Sequence, residues 1–197
     1  MLRDYPALGL HPMQAGAGYA QPTQAIPERV TLDAPALQVM TDFEAVTAVI
    51  ILSGDSLDEA HRRMLQRGVR LLLVVDQDRR VVGVITATDI LGEKPMTVVA
   101  QRGIRREELL VRDVMTPHEL LQVLELADVR AAKVGHIVAT LQHQGRQHAL
   151  VVQRDAAGRE YVRGVFSSTQ IARQLGVSIP TSETARTFAE IEAQLAR

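Results

Sequence analysis

The sequence predicts an α/β (α+β) fold of two similar repeats, each running strand, helix, strand, strand, helix, packed about a pseudo-two-fold axis. Two observations predict it. Short β-branched apolar runs alternate with segments whose apolar residues recur at helical spacing. An ordered set of features then returns in the second half: Met40-Thr41 as Met115-Thr116, Gly68 as Gly145, Leu73-Val74-Val75 as Leu150-Val151-Val152, and Gly83 to Thr86 as Gly164 to Ser167. The offset is 75 to 77 residues early and 81 late. The sequence assigns the difference to the second hairpin loop, Gln153 to Glu160, where extra residues are best tolerated. Ordered recurrence of this kind points to duplication of one structural unit.

Each element has a local reason. Residues 1–29 hold four of the eight prolines and no apolar period, which reads as a flexible N-terminal tail. The first repeat spans 30–92. Ala45 to Leu52 is a β-branched run broken by Gly54-Asp55-Ser56, so a buried strand ends there. Ser56 with Glu59 three residues on is a capping-box pattern; Leu57, Ala60, Met64 and Leu65 follow at helical spacing, and Gly68 is a C-terminal stop. Val69 to Val75 and Val81 to Ile85 flank the polar turn Asp76 to Arg79 and read as an antiparallel hairpin. A strand with one wet face alternates, and these are apolar almost throughout, so both faces are covered or one serves association. Thr86, three residues before Asp89, opens a short helix ending near Leu91-Gly92.

A linker, 93–112, carries Arg102, Arg105 and Arg106 with Glu107 and Glu108 directly behind, a mixed-sign pattern that reads as a solvated helix. The second repeat spans 113–176. Its first long helix, about Ala131 to His143, contains Gly135 at a cost of about 1 kcal/mol relative to Ala. Residues 177–197 carry Phe188, Ile191 and Leu195 at helical spacing and read as a C-terminal amphipathic helix that needs a partner surface.

Composition narrows the function. The 197 residues carry 22 Lys+Arg against 23 Asp+Glu, a net charge of −1, which lacks the basic footprint of a nucleic-acid binder. Three Tyr, three Phe and no Trp leave no aromatic platform for single strands. The absence of Cys excludes disulfide frameworks, thiolate nucleophiles and Cys-ligated metals, and fits a reducing, cytoplasmic setting. No apolar run is long enough to span a membrane. His136, His143 and His148 lack the i, i+4 pair and nearby carboxylate of a helical metal site, so no metal is expected. No G-x-S-x-G, P-loop or H-E-x-x-H motif is present, so no catalysis is expected.

The segment Ser56 to Leu91 (SLDEAHRRMLQRGVRLLLVVDQDRRVVGVITATDIL) resembles a cystathionine-beta-synthase (CBS) domain. Val111 to Pro117 (VRDVMTP) through Gly164 to Ala172 (GVFSSTQIA) is similar to a second, more divergent copy, and the resemblance covers about 35–176. It implies a tandem CBS pair: a regulatory module that packs through its sheets, commonly dimerises, and binds adenosyl compounds such as AMP, ADP, ATP or S-adenosylmethionine.

A nucleotide needs acceptors for its ribose, donors for its phosphate and a slot for its adenine. Asp89 can accept from both ribose hydroxyls, and Thr86 can present its hydroxyl beside the N–H groups opening the next helix. The resemblance implies these two jobs at these two positions. Adenine contacts then fall to Val46, Thr47, Ala48 and Ile50, with Arg70 and Leu71 entering from the next strand. Helix capping alone also explains Thr86 and Asp89: a Ser/Thr cap contributes about 1 kcal/mol, and the two roles are compatible. In the second repeat Ser167-x-x-Gln170 keeps the capping pattern and loses the carboxylate, so a second site there is expected to be weak or vacant.

The reading that follows is a regulatory, ligand-sensing homodimer with no required cofactor, acting on an unidentified protein, since the chain has no room for a catalytic or membrane domain beside the repeats. The competing reading is a structural, dimerising adaptor with degenerate nucleotide sites.

Overall fold

The structure, a computed structural model, describes residues 27–177. The expected tail before residue 27 and the expected helix with Phe188, Ile191 and Leu195 lie outside the described residues. After a 3-10 turn at Ala36–Val39 come β1 (Thr41–Asp42), β2 (Ile50–Leu52), helix α1 (Leu57–Arg67), β3 (Leu71–Val75), β4 (Val81–Thr86) and α2 (Ala87–Leu91). The linker folds as α3 (Lys94–Arg102) and α4 (Val111–Val114). The second half runs β5 (Thr116–Pro117), β6 (Val123–Glu125), α5 (Leu126–Ala131), α6 (Val134–Gln144), β7 (His148–Arg154), β8 (Glu160–Ser167) and α7 (Ser168–Leu175).

The strands form two four-stranded mixed sheets, ordered β2-β3-β4-β5 and β6-β7-β8-β1. In each, the first pair is parallel and the other two antiparallel. The lead strands are exchanged: β1 opens the first repeat yet pairs with β8 of the second, and β5 opens the second yet pairs back onto β4 of the first. This reciprocal exchange gives the pseudo-two-fold arrangement and explains the glycine of each G-h-h-T/S segment. A Cβ on Gly83 would lie 2.5 Å from the Thr116 carbonyl oxygen, and one on Gly164 would lie 2.6 Å from that of Thr41. Only glycine lets the exchanged strand pass. Arg163 then pins β1, pairing with Asp42 and, at 2.8 Å, with Glu44.

Three details differ from the sequence expectation. The strand expected over Ala45 to Leu52 begins only at Ile50. Because β1 belongs to the opposite sheet, the chain must cross over after Asp42; it turns there, with Ala45 and Val46 N–H donating to the Asp42 carbonyl. The helix expected from Ala131 is two helices, α5 and α6, broken at Ala132-Lys133. Residues 32–36 lie across the break: Ala36 N–H donates to Ala132 O, while Val134 and Gly135 N–H donate to Ala34 and Leu32 O. Gly135 therefore opens a helix at a close backbone approach, with Leu32 O 3.3 Å from where its Cβ would be.

The third difference is the hairpin. Both repeats make the same tight turn, closed by Asp76 N to Arg80 O in one and Asp155 N to Arg159 O in the other, each 3.0 Å. The four extra residues of the second repeat are ladder, not loop: β7–β8 gains the pairs Gln153 with Tyr161 and Arg154 with Glu160.

The hairpin strands are covered on both faces. On one face of the first sheet Leu72, Val74 and Ile85 pack with α1, α2 and α4; the second repeat packs Ala149, Val151 and Phe166 likewise on α5, α6 and α7. The opposite faces meet each other through Leu73, Val84 and Leu150. Burying each Leu there contributes about 1.5 to 3 kcal/mol, so the two repeats form one folding unit. No helix among the described residues is long and apolar enough to cross a membrane.

Candidate functional site

Thr86 caps α2, and the capping box is complete. Thr86 Oγ1 accepts from Asp89 N–H at 3.2 Å, and Asp89 Oδ2 accepts from Thr86 N–H at 2.9 Å and from the Thr86 hydroxyl at 2.7 Å. The other carboxylate oxygen, Oδ1, takes Lys94 Nζ from the start of α3 at 2.5 Å. Asp89 is buried, at 8% exposure, with its one open side toward a cleft between the repeats.

That cleft, of about 370 Å³, joins Thr86, Thr88 and Asp89 of the first repeat to Gln122, Arg146 and Gln147 of the second, with Leu71, Val84, Leu121 and Leu150 supplying apolar walls. Val46, Thr47, Arg70 and Leu71 line a second cleft of about 490 Å³, and there they face Ser167, Gln170 and Arg173. The residues grouped by sequence into one site are thus divided between two, with Leu71 on both. Ala48 and Ile50 lie along neither cleft; they pack into the apolar layer between the sheets. The exchange of lead strands is the cause: the end of one repeat's hairpin faces the entry strand of the other repeat, not its own.

Of the residues that sequence reasoning missed, Gln122, Gln147 and His148 carry a signal in the repeat itself, whereas Arg146 answers to Val69 and carries none. Adding the 75-to-77 offset to Thr47, Arg70 and Leu71 gives Gln122, Gln147 and His148. Lys94 had no such signal, since the late offset of 81 sets the apolar Leu175 against it.

The two clefts differ in charge. The Asp89 cleft holds a carboxylate and Arg146, whose guanidinium also donates to Leu120 O at 3.3 Å. The second holds Arg67, Arg70 and Arg173 and no carboxylate among its lining. The capping box expected at Ser167 is not formed: the Ser167 side chain makes no cap bond. Gln170 Oε1 turns instead to the Thr41 hydroxyl on the exchanged strand, at 3.5 Å, and leaves Nε2 buried without a partner.

His148 stands between the clefts and lines both. Burial, and then the positive charge of Arg70, push its imidazole down to about 4, against a smaller opposing pull from Asp89. It is neutral at physiological pH. The other histidines serve locally: His136 Nδ1 accepts from Lys133 N–H at 3.0 Å and opens α6. The linker arginines are engaged within the fold, Arg102 with Asp113 at 2.5 Å, Arg105 with Glu108 at 3.3 Å, and Arg106 with the Ile90 carbonyl at 3.4 Å.

Comparison with known proteins places the first repeat. Residues 33–95 match the model of the CBS domain family. An uncharacterized protein of Methanocaldococcus jannaschii is 26% identical over 128 residues, 60% of this chain and 45% of that protein, so the match spans about half of that relative's length. Among solved structures, an uncharacterized conserved protein from Pyrococcus horikoshii superposes with a TM-score of 0.52 at 22% identity, covering 72% of this chain and 92% of that one. The CBS-pair protein CBSX2 from Arabidopsis thaliana, solved in complex with AMP, aligns with a TM-score of 0.49 at 19% identity, over 71% of this chain and 94% of that chain.

Proposed function

We propose that this chain, whose residues 33–95 match the CBS domain family, is a regulatory module that senses an adenosyl compound (AMP, ADP, ATP or S-adenosylmethionine) between its repeats and passes occupancy to a partner protein. The observation that carries this reading is the Asp89 cleft, where an anchored carboxylate and hydroxyl face Arg146 across an apolar slot of about 370 Å³. Asp89 and Thr86 take the ribose, Arg146 the phosphate, and the walls of Leu71, Val84, Leu121 and Leu150 hold the adenine. The α2 helix has five residues, too few for its N-terminus to hold an anion by itself. With aliphatic walls and no Phe, Tyr or Trp in the lining, affinity is expected to be modest.

The module works as a cytoplasmic homodimer and performs no catalysis itself in this reading. What reaches the partner is bounded by the ligand's differential affinity for the module's two states.

The test is a thermal-stability titration with AMP, ATP, S-adenosylmethionine and cyclic dinucleotides, repeated on Asp89→Ala. A ligand at a hundredfold excess over its dissociation constant should add about 2.7 kcal/mol. If no adenosyl ligand shifts the transition, the sensor reading fails and the adaptor reading, a CBS unit kept for docking, replaces it.

A further inference from the structure

A third cavity, of about 480 Å³, opens between the two hairpins; it meets the Asp89 cleft at the apolar side chains Leu121 and Leu150 and shares none of that cleft's polar residues. Its apolar floor is formed by Val81, Leu121, Val123, Leu150, Val152 and Val162, and its rim by Arg79, Arg80, His118, Glu160 and Tyr161. Three departures from the internal symmetry converge on it. Thr41 and Thr116 hold equivalent places, paired with Val165 and Val84, so Phe43 and His118 are equivalents. Phe43 packs into the apolar layer between the sheets, whereas His118 is exposed and leaves the corresponding volume open. The two extra ladder pairs of β7–β8 raise Glu160 and Tyr161 as one wall.

The third departure is Arg79. The two hairpin turns are the same, and the residue in left-handed conformation is Gly158 in one (φ 79°) and Arg79 in the other (φ 63°). An L side chain adopts that conformation at a cost, and a residue held there is a reason to look for a function. Among the described residues the Arg79 guanidinium has no ion-pair or hydrogen-bond partner, while its neighbour Arg80 has Asp78 at 3.6 Å.

We propose that this cavity is a second ligand site, set apart from the nucleotide clefts by its own polar rim, for a small organic acid with an apolar body. The body fills the valine and leucine floor and the carboxylate pairs with Arg79. Its volume lies within the range of small-molecule sites, and an apolar floor with one orienting charge is their usual chemistry. Octanoate joins an apolar chain to one carboxylate; octanol and acetate each supply half of that chemistry.

The experiment is a calorimetric titration of the full chain with octanoate, octanol and acetate, on the wild type, Arg79→Gly and His118→Phe. Octanoate should bind at least tenfold more tightly than either control. Arg79→Gly takes the residue of the matching turn, so it should fold with an unchanged or higher melting temperature and lose about tenfold in octanoate affinity. His118→Phe should restore the packed side chain and abolish octanoate binding. In both variants the response to AMP should be that of the wild type. Absent octanoate binding, octanoate no tighter than octanol, wild-type affinity in both variants, or displacement by AMP would each overturn the assignment, whatever becomes of the nucleotide reading.

Discussion

Lys94 Nζ lies 2.5 Å from Asp89 Oδ1, while Oδ2 of the same carboxylate accepts both from the Thr86 N–H and from the Thr86 hydroxyl. The carboxylate is therefore fixed before any ligand arrives, and a ribose must share it with Lys94. Asp89→Ala should cost about 1 to 2 kcal/mol of stability in a denaturant titration, chiefly through the lost capping box, since the exposed Lys94 ammonium returns to water. It should also weaken AMP by about tenfold or more, the usual scale of a charge-assisted hydrogen bond. Asp89→Asn keeps an acceptor for the Thr86 N–H, so it should recover much of the stability and little of the affinity. Full AMP affinity in Asp89→Ala would remove the ribose from this residue.

The strand exchange depends on two glycines. Gly83→Ala and Gly164→Ala each place a methyl group within 2.6 Å of a backbone oxygen, which cannot move aside as a flexible side chain can. Each should destabilise by about 1 to 3 kcal/mol in chemical denaturation. Gly54→Ala, where nothing lies within 4 Å, is the control and should be close to neutral. Equal stability in all three would mean that the lead strands do not cross where β1 and β5 are paired.

Acid should act through His148. Its folded value is about 4 against an ordinary 6.5, so between these the unfolded chain takes up a proton that the folded chain refuses. Stability contributed by the neutral ring is present above 6.5 and is lost as pH falls toward 4, with a slope of at most about 1.4 kcal/mol per pH unit. Partial exposure reduces the whole effect to about 2 kcal/mol. His148→Gln should flatten this part of the stability profile; an unchanged slope in the variant would assign the acid sensitivity elsewhere.

In the arginine-rich cleft, Gln170 leaves its Nε2 without a partner, a cost of about 1 kcal/mol or more. Gln170→Met should hold or raise the melting temperature. A clear loss of stability would show that the weak contact with Thr41 outweighs the stranded amide.

Much of the fold was legible because its signals are local. Ser56 and Gly68 bracket α1 as their residue types require, with Ser56 Oγ accepting from Glu59 N–H and Gly68 in left-handed conformation. The nearly continuous apolar runs of β3 and β4 do have two covered faces. What sequence could not supply was long-range pairing: two-residue strands such as β1 and β5 carry almost no pattern, and their exchange decides which residues share a cleft. For the same reason Thr86 and Asp89 read as a pair in the sequence, while the side chains that share their cleft, Gln122, Arg146 and Gln147, come from the other repeat.

The proposed adenosyl site joins the end of the first hairpin to the entry of the second repeat. Calorimetric titration of AMP into Arg146→Ala and Arg70→Ala tests it most directly, because the two side chains lie in different clefts. Arg146→Ala should weaken AMP by about tenfold or more, whereas Arg70→Ala should leave its affinity within about twofold. The opposite pattern, loss with Arg70→Ala and retention with Arg146→Ala, would contradict it.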